Sequence, residues 1–184
     1  MKGLPDYLAH GLKILFVGYN PGERSAVLGH HFAGRGNQFW RLLYEAGLTP
    51  RLYDPTEDGM LKELGYGLTN LVPRPSKSSS DLSTAEMREG ALELRIKVTR
   101  YKPAIVCFLG KEVYRRFAGI SAKSGLSYGP VEGADVTQGV LAFVAPNPSG
   151  RSTILYADKL AVFIQLQTMV KAQKLRKDKS KALG

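Results

Sequence analysis

The chain has 184 residues, of which 43% are hydrophobic, and this length and composition suit one soluble globular domain. No apolar run approaches the roughly 18 residues of a membrane span. The single cysteine, Cys107, excludes an internal disulfide and an all-cysteine iron–sulfur cluster. The formal charge of +10 favours a polyanionic partner, nucleic acid first, although solubility alone is the simpler explanation.

The first predicted element is a buried strand over residues 12–17, a short apolar run. A turn over residues 18–22 ends it and places Asn20 at the carboxyl edge of a sheet, where ligands bind in open α/β folds. Taken alone, an Asn-Pro-Gly turn has only a structural meaning, because such turns are common. However, a second apolar run, residues 141–145, also leads into an Asn-Pro turn, in residues 146–152. The two turns could therefore face each other across one cleft.

Between these two strands the sequence predicts alternating helices and strands. The first helix lies between its capping residue, Asn37, and Gly47, which can end it in a left-handed conformation. Residues 48–58 are polar and rich in turn-forming residues. A short helix over residues 61–64 then leads into a second strand over residues 65–72.

A long helix follows the Ser- and Pro-rich loop at residues 73–81. Ser83 and Glu86 have the spacing of a capping box at its start, and the sequence at residues 101–103 ends it. A third strand is predicted over residues 104–109, where the apolar run does not alternate with polar residues. Such a pattern is typical of a strand that is buried on both faces.

The remaining predictions concern the last part of the chain. A short helix follows the third strand, and the Gly-rich residues 121–139 contain at most one weak strand. The last amphipathic helix is predicted over residues 154–170. Buried strands that alternate with helices indicate a three-layer α/β/α fold with a central, mainly parallel sheet. We therefore expect one domain over residues 1–170, followed by a basic, flexible tail over residues 171–184.

Several kinds of catalytic site are not supported by the sequence. His30 and His31 are adjacent, so their side chains would diverge, and no third His or Cys lies at ligand spacing. Neither a phosphate-binding P-loop motif nor the nucleophile elbow of serine hydrolases occurs. We expect no metal and no cofactor.

Five short motifs, in order along the chain, resemble those of the mismatch-specific uracil/thymine-DNA glycosylases, a family of the uracil-DNA glycosylase superfamily. They are residues 18–22 (GYNPG), 29–32 (GHHF), 36–40 (GNQFW), 67–72 (GLTNLV) and 147–150 (NPSG). The resemblance extends from about residue 12 to residue 170. It implies a monofunctional glycosylase that flips uracil, or more slowly thymine and other modified pyrimidines, out of G:U and G:T mismatches in double-stranded DNA. The product would be an abasic site.

The resemblance also assigns roles to residues at the site. Asn20 matches the residue that positions the attacking water, and as an amide it cannot take the proton from that water. Phe32 matches the aromatic residue on which the flipped base stacks, although a core position is the alternative. Asn70 matches a contact to the base edge, and its alternative is a strand-end turn residue. His31 would bind near the base or a phosphate. Two further residues, Tyr19 and Ser25, would border the C5 side of the base.

The second Asn-Pro turn matches the loop that enters the duplex in this family. Its backbone would read the opposite guanine, and its tip would fill the gap left by the flipped base; its residues are Asn147, Pro148, Ser149, Gly150, Arg151 and Ser152. Many bacterial members have Leu at the tip, whereas this chain has Arg151, which favours the thymine-excising branch. Glu23 is a second departure from the family pattern, and its carboxylate could repel phosphate or help to orient water.

Two other readings stay open at this point. The chain could belong to a branch of the superfamily that acts on deaminated purines. It could also be a catalytically weak module that binds DNA lesions, because Asn20 stands where faster relatives have Asp. In each case the expected partner is double-stranded DNA with a mismatched or damaged base, and the expected state is a monomer. The first residues lack the apolar stretch of a signal peptide, which predicts a cytoplasmic, nucleoid-associated protein.

Overall fold

The computed structural model describes residues 2–133 and 136–182, whose strands and helices form a mixed α/β fold. The strands are β1 (Ile14–Gly18), β2 (Tyr66–Asn70), β3 (Ile105–Leu109), β4 (Gly129–Val131) and β5 (Leu141–Ala145). The α-helices are α1 (Glu23–Leu28), α2 (Phe39–Glu45), α3 (Thr84–Tyr101), α4 (Lys111–Ala118) and α5 (Tyr156–Ala182). Two 3₁₀-helices, Pro55–Leu64 and Ser79–Asp81, lie in the connections that flank β2.

The five strands form one sheet in the order β2-β1-β3-β5-β4. The pairs β1–β2, β1–β3 and β3–β5 are parallel, and only the short edge strand β4 runs antiparallel, against β5. Because parallel strands need long connections, helices cover both faces of the sheet. The predicted α/β fold with a mainly parallel sheet is therefore confirmed.

Each face of the sheet packs against its own set of helices. On one face, side chains such as Val17 and Phe108 pack against apolar residues of α3 and α4. On the other face, residues such as Phe16 and Phe143 pack against α2 and α5. These side chains are fully buried on both faces, which explains why β1, β3 and β5 are apolar at every position rather than at alternate ones. The lone thiol of Cys107 also lies in this core, where burial raises its pKa.

The structure corrects three sequence-based expectations. The polar stretch before β2 forms the ten-residue 3₁₀-helix Pro55–Leu64, which begins at a capping box between Asp54 and Glu57 that the sequence analysis does not identify. The short helix α1 is not predicted either. Helix α5 does not end near residue 170 but continues to Ala182, because residues 171–182 are mostly Lys, Ala, Gln and Leu, which favour helix. The predicted flexibility of residues 171–184 stays a prediction, and the last two of them lie outside the described residues.

Among the described residues, no helix is both long enough and apolar enough to cross a membrane.

Candidate functional site

A cleft of about 670 Å³ opens at the carboxyl edge of the sheet. The loops after β1, β2, β3 and β5 line it, because the ends of parallel strands meet at one edge. The structure therefore brings the two Asn-Pro turns together, as the sequence predicted. Eleven of the twelve residues proposed for the site line the cleft. The exception is Gly150, which is exposed in the 147–152 loop.

The amide of Asn20 is fixed in one orientation by three acceptors. Its Nδ2 donates to the carbonyl oxygens of Pro21 (3.1 Å) and Arg74 (3.2 Å) and to Oγ of Ser76 (2.8 Å). The Ser76 hydroxyl in turn donates to the carbonyl of Ser78 at 2.6 Å, so it must accept from the amide. In the described part of the chain, Oδ1 of Asn20 has no hydrogen-bond partner. The amide therefore offers one acceptor to a molecule bound in the cleft.

Phe32 forms an aromatic surface in the cleft. It is one of two non-glycine residues with positive φ in the described chain, at 55°, and this strained conformation presents its ring at the site. One face of the ring stacks on buried Phe39, with centroids 4.0 Å apart and an interplanar angle of 28°. The half-buried side chain also lines the cleft, so a planar ring can stack against it.

Gly18 makes room for the polar group next to this ring. It pairs with Asn70 across β1 and β2, and a Cβ at position 18 would lie 2.6 Å from Oδ1 of Asn70 and 3.6 Å from the ring of Phe32. A larger residue at position 18 would therefore displace the Asn70 side chain, whereas its contact with the Phe32 ring would be an ordinary one. The side-chain amide of Asn70 makes no hydrogen bond to another residue described by the structure. It can offer both a donor and an acceptor to a ligand.

His31 is buried, with 1% of its surface exposed, and it reaches the cleft as a neutral imidazole. Nε2 lies 2.8 Å from the carbonyl oxygen of Pro5, which can only accept, so Nε2 carries the proton and Nδ1 is an acceptor. Burial lowers the pKa of the imidazole below its ordinary value and outweighs the opposing effects of Pro5, Asp58 and Asp6.

Asp58, which the sequence analysis missed, holds the His-His turn in place. This buried carboxylate accepts from the backbone N–H of His31 (2.8 Å), from Nδ1 of His30 (3.2 Å) and from the hydroxyl of Tyr7 (2.9 Å). Burial, and then the hydrogen bond to Asp58, raise the pKa of Tyr7 to about 12. The residues that Asp58 joins lie 27 to 51 positions away, so no local motif could have revealed it.

The two residues predicted to border the base are also held by the protein. Oγ of Ser25 accepts from the backbone N–H of Ala33 at 3.0 Å, which closes the segment that carries the Phe32 ring. The hydroxyl of Tyr19 contacts the sulfur of Met87 on α3. Burial raises the pKa of Tyr19, so the phenol stays protonated at neutral pH. Both side chains line the cleft.

The 147–152 loop forms the opposite wall of the cleft. Oδ1 of Asn147 accepts from the backbone N–H of Ser149 (2.9 Å), and Oγ of Ser149 accepts from the backbone N–H of Arg151 (3.2 Å). The guanidinium of Arg151 reaches across to the loop after β2, where Nη1 donates to the carbonyl oxygen of Lys77 at 3.0 Å. The side chain of Arg151 is exposed, so this bond can exchange for a contact to a ligand.

Charge at the cleft is mostly positive. Four basic residues line it against two acidic ones, and the acidic residue Glu112 is paired with Arg116 at 2.7 Å. The other carboxylate, Glu23, forms no ion pair with any residue that the structure describes. The basic residues are Arg24, Arg35, Lys77 and Arg151. This excess suits a polyanion. In the described ranges there is no group of three or more His, Cys, Asp or Glu that could hold a metal ion.

Comparison with known proteins supports the same fold and identifies the family. The chain is similar to a solution NMR structure from Methanosarcina acetivorans of a protein provisionally named a uracil DNA glycosylase. The TM-score is 0.55 at 22% identity, over 90% of this chain and 98% of the other, which is a likeness of fold. The sequence model of the Uracil DNA glycosylase superfamily matches residues 5–167, most of the chain. The chain therefore belongs to the Uracil DNA glycosylase superfamily.

Proposed function

We propose that the protein is a monofunctional DNA glycosylase that removes uracil from G:U mismatches in double-stranded DNA, and thymine from G:T mismatches more slowly. The observation that carries the proposal is the arrangement of the cleft. Three side chains line one space: the Asn20 amide, which offers an acceptor in a fixed orientation, the Phe32 ring, and the Asn70 amide, which has no hydrogen-bond partner among the described residues. A flipped base needs a π-surface, hydrogen bonds to its edge and a positioned water.

The reaction follows from these groups. The extruded uracil stacks on Phe32, and the Asn70 amide hydrogen-bonds its edge. Oδ1 of Asn20 accepts a hydrogen bond from the water, whose oxygen forms the new bond to C1′ of the sugar. The bond from C1′ to N1 breaks, and its electron pair stays on the uracil, which leaves as an anion. Because Asn20 cannot accept the proton of the water, that proton passes to solvent, and the rate depends on stabilising the departing charge.

Preference for mismatches follows from the cost of extruding the base. Taking a base out of the stack costs a few kcal/mol, and least where pairing is already weak. In the proposed complex, Arg151 leaves the carbonyl of Lys77 and fills the vacated space. A guanidinium can both stack there and pair with a phosphate. Thymine differs from uracil by the C5 methyl group, which would lie beside Tyr19 and Ser25.

One alternative rests on a specific observation. The group proposed to position the water, Asn20, is an amide, which orients water but does not deprotonate it. A protein that binds mismatched DNA without cutting the glycosidic bond would also fit the basic cleft and the stacking ring. Both functions share duplex DNA as partner, a monomeric protein and a location at the nucleoid.

A product assay separates these functions. The protein is incubated with duplexes containing G:U, G:T, A:U or hypoxanthine, and abasic sites are revealed by alkali cleavage. We expect product in the order G:U, then G:T and A:U, with no strand break before alkali and no product with Asn20→Ala. Product only from hypoxanthine would assign the protein to a purine-excising branch. Tight binding to the G:U duplex without product would show a lesion-binding module. A strand break before alkali would contradict the monofunctional reaction.

A further inference from the structure

A buried lysine lies directly beneath the loop that is proposed to enter the duplex. Lys159, near the start of α5, has 1% of its surface exposed. Its Nζ donates to Oε1 of Gln38 at 2.9 Å and to the carbonyl oxygen of Ser149 at 3.1 Å. In the described chain, no carboxylate forms an ion pair with it. Burial accordingly lowers the pKa of its ammonium group below the ordinary value.

Lys159 joins the two loops that border this side of the cleft. Gln38 belongs to the connection that leads into α2, and its backbone N–H donates to the carbonyl oxygen of Pro148 at 2.8 Å. Gly150 packs so closely on the same connection that a Cβ there would lie 2.6 Å from the carbonyl oxygen of Gly36. The carbonyls of Pro148 and Ser149 are thus both held toward the protein interior.

The orientation of one carbonyl determines that of the next N–H. The described chain contains no cis peptide bond, and in a trans peptide the C=O and N–H point in opposite directions. Since the carbonyl of Ser149 points inward to Lys159, the N–H of Gly150 points outward. The N–H of Gly150 has no acceptor among the described residues, and Gly150 is exposed. The ammonium also polarises this peptide group, which makes the N–H a stronger donor.

We propose that Lys159 is a positioning residue that aims the Gly150 N–H at an acceptor in the duplex, a base edge or a phosphate oxygen on the opposite strand. The proposal rests on the proposed function, because it assigns this donor to the engagement of duplex DNA. It explains why a cation is buried at a place where the protein supplies only neutral acceptors. It also predicts that Lys159 matters for uracil in duplex DNA and not for uracil in a single strand, which has no opposite strand to engage.

The test is the ratio of single-turnover rates on duplex G:U and on single-stranded uracil DNA, both at saturating enzyme. Lys159→Met keeps the length and apolar stem of the side chain but removes the charge and both donors. We expect the duplex rate to fall about tenfold and the single-strand rate to change less than about twofold. Lys62→Met, the same change at an exposed position of the 3₁₀-helix before β2, should leave the ratio unchanged.

A second variant tests the same peptide without altering the buried cation. Gly150→Ala is an exposed substitution that forces the loop away from Gly36, and we expect the same selective loss on duplex DNA. Lys159→Arg keeps a charged donor and should retain more of the ratio than Lys159→Met does. An unchanged ratio in either Gly150→Ala or Lys159→Met, or equal losses on both substrates, would overturn this proposal alone. If the wild-type protein excises uracil from neither substrate, the proposed function fails, and this proposal fails with it.

Discussion

The two sides of the cleft are built in different ways. On the side after β1 and β2, Asn20 has three hydrogen bonds, His31 is buried, and the ring of Phe32 stacks on a buried neighbour. On the side after β5, Arg151 is exposed and is held by one side-chain hydrogen bond to a carbonyl. Aligning a water and a base requires fixed groups. The Arg151 side chain is proposed to change partners when DNA binds, so its contact must be one that it can release, while the backbone of the 147–152 loop stays anchored to Gln38 and Lys159. We therefore expect the first side to govern the chemical step and the second to govern access to it.

The strongest test of this comparison is Asn20→Ala, which removes the acceptor on the side after β1 and β2, called here the fixed side. We expect single-turnover excision of uracil to fall by at least about 100-fold, because no other group in the proposed site orients the water. Binding to a G:U duplex should change little, since the amide contacts water rather than phosphates. Asn20→Asp should keep or raise the rate, because a carboxylate can also accept a proton. A near-normal rate for Asn20→Ala would show that the water is held elsewhere.

A smaller effect is expected when the support of Asn20 is removed. In Ser76→Ala, Nδ2 of Asn20 loses its shortest hydrogen bond and the link to the carbonyl of Ser78. One such bond contributes about 1 kcal/mol, which corresponds to a roughly fivefold lower single-turnover rate at unchanged affinity for DNA. Ser80→Ala, an exposed change in the same connection, serves as the control. Equal rates for these two variants would show that the amide does not need its support.

On the exposed side, Arg151 should matter most where extrusion is hardest. We expect Arg151→Ala to lower the single-turnover rate roughly tenfold at A:U and less at G:U, because the mismatch costs less to open. Arg151→Leu still fills the gap and should retain more activity than the alanine variant. Both variants lack the positive charge and should show a weaker salt dependence. If the single-turnover rate fell equally on A:U and G:U, and equally for the alanine and leucine variants, Arg151 would contact only phosphate.

The same division explains what could be predicted from the sequence. The sheet, the cleft and the position of Asn20 were predictable, because apolar runs and turn motifs are local patterns. The position of Phe32 followed only from the resemblance of its motif to that of the family. The residues that hold these groups in place were not predictable, because they are distant in sequence. Ser76 is 56 positions from Asn20, and Gln38 is 121 positions from Lys159. Such contacts arise only when strands distant in sequence become neighbours in the sheet. Lysine side chains are usually exposed, so the residue type of Lys159 gave no reason to expect it in the interior.

Buried His31 should make the stability of the fixed side depend on pH. Its pKa in the folded protein lies below the ordinary value of 6.5, so below that pH the unfolded chain binds more protons than the folded one. The stabilisation is complete above about pH 6.5 and diminishes as the pH falls toward the folded pKa. Urea unfolding of wild type and His31→Phe near pH 7.5 and pH 5 should show the wild-type advantage shrinking with acid. A constant difference would show that His31 does not titrate with unfolding.

The smallest effect on chemistry is expected from the end of α5, of which no described side chain lines the cleft. The helix packs on the core as far as Met169 and Val170, whereas Lys171 and Lys174 are exposed. Residues 171–184 contain six Lys or Arg and one Asp, so this segment carries a large share of the chain's net positive charge. Its removal should weaken non-specific binding and lower the salt slope by about 0.9 for each phosphate that the protein no longer neutralises. Single-turnover excision at saturating enzyme should not change.

The full-length double variant Lys171→Gln, Lys174→Gln keeps the helix and should give part of the same decrease in slope. It therefore separates the effect of the charge from the effect of losing the helix. A large fall in the single-turnover rate after truncation would place this segment in the site and remove the distinction between a chemical side and a DNA-binding side.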